Sequence, residues 1–335
     1  KSETLNFIRN NTTKKLVIIL DEKNVRIKDL DQLLDPCMGI IEMIRIAIDP
    51  LNFERAVKLA FEIKKKGFKI AFNIMYMSTW DDHPKMIEGF VKLNGLVDYL
   101  YLVDSFGGVF PQDVIKIIRK IKSKTNVKLG FHGHNNLEMA LANTLVAIDE
   151  GIDIIDSTIT GMGRGAGNLK TELLLTTLDH KMNLELNYDS LSIITSEFVD
   201  LQKKYNWGTS LPYMVSGAKS LPQKQVMEWV SKRFYSMNSI TRALNRKNKN
   251  HVYPKFNPKE TFENALIIGG GPSVDLKSKA IIDFININFD NTALIHASSK
   301  NSALFKDVTN KQYFCLAGNE GVRLEKVFNN LNNFT

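Results

Sequence analysis

The chain has 335 residues, 44% hydrophobic and 24% charged, with a formal charge of +8. That length suits two domains of ordinary size, and the composition is that of a globular protein rather than a disordered or fibrous one. No apolar run could span a bilayer, no secretory signal opens the sequence, and only two distant cysteines, Cys37 and Cys315, are present, which argues against a membrane protein or a disulfide framework and for a reducing cytoplasm.

Short apolar runs rich in β-branched residues occupy residues 16–20, 43–48, 69–75, 99–103, 127–131 and 152–157. Amphipathic helical patterns lie between most of them, at 53–66, 84–93, 111–122 and 137–150. Pro111 suits a first helical turn, and Gly67 and Gly151 suit helix ends. Runs apolar on both faces belong to parallel strands covered by helices. The sequence therefore predicts six successive βα units, and the unit length and loop contents favour an α/β (β/α)8 TIM barrel over a doubly wound sheet. On this reading the visible strands are the third to the eighth, and the first two units lie upstream of Lys1, which is not a methionine. The lysines at 64–66 and 116–124 fall on predicted helix faces with no interleaved aromatic ladder, so nucleic-acid binding is not expected.

Two further amphipathic stretches follow, at 188–205 and 223–244. The Asn-, Lys- and Pro-containing segment 246–259 reads as a linker. After it come a strand at 265–268, the turn Gly269-Gly270-Gly271-Pro272-Ser273, a helix to about 287, and strands at 292–297 and 312–317. The expected organisation is a barrel part over 1–185, a helical region over 186–245, the linker, and a Rossmann-like three-strand segment over 260–335.

The sharpest chemical signal is Gly130-Phe131-His132-Gly133-His134-Asn135-Asn136. Residues i and i+2 of a strand share a face, so His132 and His134 project side by side at the C-terminal end where parallel barrels place their active sites. Neutral imidazoles so placed can bind one metal ion; the plainer reading is a hydrogen-bonded pair. The next unit carries Asp156-Ser157-Thr158 and then the loop Gly161-Met162-Gly163-Arg164-Gly165-Ala166-Gly167-Asn168. Its glycines permit close backbone approach to a ligand, as a phosphate cradle also would, and Asn168 offers a carbonyl oxygen suited to a hard or borderline cation. Arg45, Asn73 and Tyr76 could line the mouth or fill barrel layers, with packing favoured, and Asp21 and Glu22 read as a solvated helix cap before an acid pair. Gly269, Gly270, Gly271 and Ser273 stand where a phosphate could meet a helix N-terminus, without dinucleotide spacing.

The stretch 130–172, with Asp104-Ser105-Phe106-Gly107-Gly108 before it, resembles the pyruvate-carboxyltransferase or HMG-CoA-lyase-like group of metal-dependent barrels, and within it the 4-hydroxy-2-oxovalerate aldolases. The resemblance covers roughly residues 16–178. It implies that His132 and His134 bind a divalent metal, Mn²⁺ or Mg²⁺, and that Asn168 binds or borders it. It implies that Ser105 stands where the substrate carboxylate is held, and that a tyrosine after the barrel assists a base. Tyr213 is in place for that, although a packing role suits it better. The family's third metal ligand, an aspartate in an Arg-Asp pair on its first strand, and the general base are expected upstream of Lys1. The implied activity is an aldolase-type lyase cleaving a 4-hydroxy-2-oxo acid to pyruvate and an aldehyde through a metal-stabilised enolate. A Claisen-type acyltransferase and a non-catalytic ligand-binding scaffold are the alternatives. The loop 161–168 lacks the cysteine of the acyl-CoA lyases. The expected partners are a small 2-oxo acid, further copies of the chain, and a nucleotide or nucleotide sugar on the C-terminal segment.

Overall fold

The computed structural model describes residues 2–232, 237–245, 261–288 and 291–315. The segment read as a linker, 246–259, lies outside them. The chain divides into two compact units, Lys1–Met227 and Glu228–Thr335, with the division inside the helix Gln223–Lys232. The helices Tyr188–Tyr205 and Leu211–Ala218 thus belong to the same unit as the large sheet. No helix of the described residues is long and apolar enough to cross a membrane.

The first unit is built on six parallel strands: β1 (Val17–Asp21), β2 (Met43–Ile48), β3 (Lys69–Ile74), β4 (Tyr99–Asp104), β5 (Lys128–Gly133) and β6 (Ile154–Ile155). Their spatial order is their chain order. One strand face, with Ile44, Ile46, Ile70, Phe72, Leu100, Leu102, Leu129 and Phe131, joins a single core with Ala56, Leu59 and Ile63 of the helix Phe53–Lys65 and with Val114, Ile118 and Ile121 of the helix Pro111–Lys122. Helices on one face and a strand order that never reverses exclude the doubly wound arrangement and curl a sheet toward a barrel.

The other face shows that curl directly. Arg45 of β2 forms an ion pair with Asp156, immediately after β6, at 2.5 Å. In a flat sheet those strands would stand roughly 19 Å apart, four spacings of about 4.8 Å, too far for these two side chains to bridge. The apolar cluster on this concave face is Met43, Ala71, Tyr101 and Val103.

Strand β6 is shorter than the run 152–157 suggests. Only Ile154 and Ile155 pair with β5, because Thr158 turns away to pair with Lys170: its N–H donates to the Leu169 carbonyl and its carbonyl accepts from Thr171 N–H. The predicted helix over 137–150 starts only at Ala140, after a turn in which Glu138 has φ 59°. The stretch 223–244 forms two helices, Gln223–Lys232 and Met237–Asn245.

The second unit contains β7 (Asn264–Ile268), β8 (Thr292–His296) and β9 (Gln312–Phe314), parallel and in chain order, with the helix Pro272–Asn288 between the first two. Its core gathers Ile268, Ile285, Leu294 and Phe305.

Candidate functional site

The C-terminal ends of β4, β5 and β6 bring the predicted site residues to one mouth. His132 Nδ1 lies 2.7 Å from Asp156 Oδ2, and His134 Nδ1 lies 2.8 Å from the Asp104 carbonyl oxygen. Carbonyl and carboxylate oxygens only accept, so each histidine donates from a protonated Nδ1. The rings meet edge to face with centroids 4.8 Å apart. Burial lowers the pKa of His134 to about 4, helped by the charges of His132 and Arg164 and opposed by the Asp104 carbonyl, so the ring is neutral near pH 7.

The sequence named Asp156 without assigning it a role and favoured packing for Arg45; the structure joins them. The Arg45 guanidinium donates to both Asp156 oxygens, at 2.9 and 2.5 Å, and its Nε donates to Asn73 Oδ1 at 2.9 Å. It lies 3.8 Å from the Tyr101 ring centroid. Burial raises the Asp156 carboxyl, but hydrogen bonds from His132 and Arg45 and their charges outweigh it and leave its pKa below the usual value. The available sequence signal was an arginine inside the apolar run 43–48, since a charge on a covered strand needs a partner.

Asp104 is buried at the end of β4, where its carboxylate accepts from Gly108 N–H at 3.2 Å and Val109 N–H at 3.4 Å. Burial raises its pKa to about 6, against those N–H groups and the charge of His132. Ser105 follows it, and its Oγ accepts from the Tyr76 N–H at 2.9 Å, tying the ends of β3 and β4 together while the hydroxyl proton remains available to donate. Asn168 is paired with His134 in an isolated antiparallel bridge, and such partners share a face. Its amide N–H donates to the Met162 carbonyl at 2.9 Å, leaving its side-chain oxygen as the acceptor.

The post-barrel residues fasten this mouth. Trp207 Nε1–H donates to the Thr160 carbonyl at 3.1 Å, Gly208 N–H donates to the Gly165 carbonyl at 2.9 Å, and Asn136 Nδ2–H donates to the Tyr213 carbonyl at 3.1 Å. Tyr213 is buried in the helix Leu211–Ala218, which agrees with the packing role favoured from the sequence; Pro212 sits in the helix's first turn, where no N–H is needed. Burial raises its phenol pKa. A Cβ at Gly165 would stand 3.2 Å from the Tyr213 ring, so the ring lies against the glycine-rich loop.

Imidazole nitrogens and an amide oxygen such as those of His132, His134 and Asn168 are donor types that a divalent ion accepts beside water oxygens. Among the described residues no group of three or more His, Cys, Asp or Glu side chains forms a metal cage. In the second unit, Gly269, Gly270, Gly271 and Ser273 lie between β7 and its helix, and Asn301 Nδ2–H donates to the carbonyls of Gly269 and Gly271 at 3.2 and 3.0 Å.

The HMGL-like family model matches residues 45–199. The crystal structure of the N-terminal domain of a protein described as a candidate aldolase from Bacteroides vulgatus is 49% identical, with a TM-score of 0.68, covering 72% of this chain and 80% of that one. An oxaloacetate decarboxylase of Mycobacterium tuberculosis is 32% identical over 170 residues, 48% of this chain and 51% of the relative. A 4-hydroxy-2-oxovalerate aldolase of Geobacillus thermodenitrificans is 36% identical over 140 residues, 42% and 41% of the two chains. The chain thus spans about half the length of the first of these curated relatives and about two fifths of the second. With the helix-covered parallel sheet and the paired histidines at its C-terminal edge, these matches establish that the chain belongs to the HMGL-like family.

Proposed function

We propose that the chain carries the metal-binding part of a pyruvate-forming carbon–carbon lyase, acting on a 4-hydroxy-2-oxo acid. The observation that supports this reading is the pairing of His132 and His134 at the end of β5, with ring centroids 4.8 Å apart and each Nδ1 engaged by its own acceptor. A divalent ion on those imidazoles, Mn²⁺ or Mg²⁺ given the oxygen-rich remainder of the site, would polarise the keto oxygen of a chelated 2-oxo acid. Ser105, with Oγ fixed by Tyr76 N–H, is placed to donate its hydroxyl proton to the substrate carboxylate. Tyr213, kept protonated by burial, is a proton donor at the same mouth.

A second reading, decarboxylation of oxaloacetate, also breaks a carbon–carbon bond beside a 2-oxo acid. It is favoured by the 170-residue alignment with the Mycobacterium tuberculosis decarboxylase. Pyruvate release from 4-hydroxy-2-oxovalerate and from oxaloacetate, followed with Mn²⁺ present, separates the two. Release from neither substrate by the Mn²⁺-loaded protein would sink both.

A further inference from the structure

The concave face holds one charged network that spans the sheet, and it ends on a histidine. It begins with Gly130 of β5, where a Cβ would stand 2.5 Å from the Tyr101 ring. Without that side chain the ring of Tyr101 lies inside the curl and supports the Arg45 guanidinium at 3.8 Å. Arg45 cannot deprotonate, and its planar fork meets the Asp156 carboxylate through two nitrogens. The Asp156 oxygen that accepts from Arg45 Nη2 also faces His132 Nδ1. Both partners are mostly covered, with side-chain exposures of 15% and 20%.

We propose that Arg45 and Asp156 are positioning residues for His132: the clamped carboxylate fixes the imidazole as its Nδ1–H tautomer with Nε2 presented to the mouth, and because the clamp joins β2 to β6 it ties that geometry to the curl of the sheet. This rests on the reading of His132 as a metal ligand. A histidine's second nitrogen, held by a carboxylate, sets which nitrogen faces the metal. The Arg45 clamp adds a constraint that an unpaired carboxylate would lack. Asp156 is held at two oxygens, so it cannot rotate away from His132 without breaking a buried ion pair. His134 takes its orientation separately, from a backbone carbonyl, and does not depend on the clamp.

The full chain, ¹⁵N-labelled and metal-free, gives the first readout: long-range ¹H–¹⁵N correlations, assigned with His132→Gln, report the tautomer of His132. The Nδ1–H form is expected in the wild type, and an Nε2–H form there overturns the proposal whatever any variant does. The double variant Arg45→Met/Asp156→Leu removes both charges together and so strands neither in the interior. It is expected to release the tautomer and to weaken Mn²⁺ binding by about 10–100-fold, with its circular dichroism unchanged. A double variant that keeps the Nδ1–H form and wild-type affinity also overturns the proposal. Wild-type protein that takes up no Mn²⁺ would sink the metal reading instead, and the tautomer measurement would still decide the clamp.

Discussion

Substituting Gly108 tests whether the post-barrel helix is seated tightly on the mouth. A Cβ at Gly108 would stand 2.2 Å from the Gly217 carbonyl oxygen and 3.0 Å from its carbon. The obstruction is backbone, which no rotamer change relieves. Restoring a C···O distance of about 3.3 Å needs a local opening of roughly 1.1 Å. Gly217 belongs to the helix Leu211–Ala218 and is itself packed, since a Cβ there would come 2.7 Å from the Asn136 side chain. Asn136 in turn holds the Tyr213 carbonyl and Gln223. Gly108→Ala should therefore lift this helix and weaken its contacts. Overpacking of this kind costs about 1–3 kcal/mol. At roughly 2–4 °C per kcal/mol for a unit of this size, the melting temperature of the first unit should fall by about 2–12 °C. Calorimetry of the full chain measures it. A Gly108→Ala protein melting within about 1 °C of wild type would refute the tight seating.

Trp207→Phe should destabilise the first unit by about 1–3 kcal/mol, because the Thr160 carbonyl loses its indole donor in a buried setting; chemical denaturation would show the difference. Gly270→Ala places a Cβ 2.9 Å from the Ser298 side chain. If the second unit binds a nucleotide at this turn, calorimetric titration should find that binding lost in the variant while pyruvate release is unchanged. Parallel loss of pyruvate release in the folded variant would contradict independent roles for the two units.

Much of the first unit was legible because a covered parallel strand advertises itself as a continuous apolar run, and the run containing Ile70 and Phe72 needed no long-range knowledge. His132 and His134 were legible for a similar local reason, the two-residue period of a strand. The network beneath them was not. Arg45 and Asp156 are 111 residues apart, and nothing local distinguishes an arginine that fills a barrel layer from one that clamps an aspartate. The end of β6 was placed too late, at residue 157, because nothing local shows that the returning segment at Leu169–Lys170 captures Thr158 and draws the chain away from β5. The helix Leu211–Ala218 was hidden by Pro212, which reads as a turn but is well tolerated in a first helical turn. Its seating on Gly107 and Gly108 depends on contacts more than a hundred residues away in sequence.

The account stands on two imidazoles aimed at one ion. Titration of Mn²⁺ into the metal-free full chain, followed by the loss of free Mn²⁺ signal in electron paramagnetic resonance, tests it most directly. One site is expected in the wild type, with large losses of affinity in both His132→Ala and His134→Ala. Wild-type binding retained by both variants would place any metal elsewhere and contradict the site described at the ends of β5 and β6.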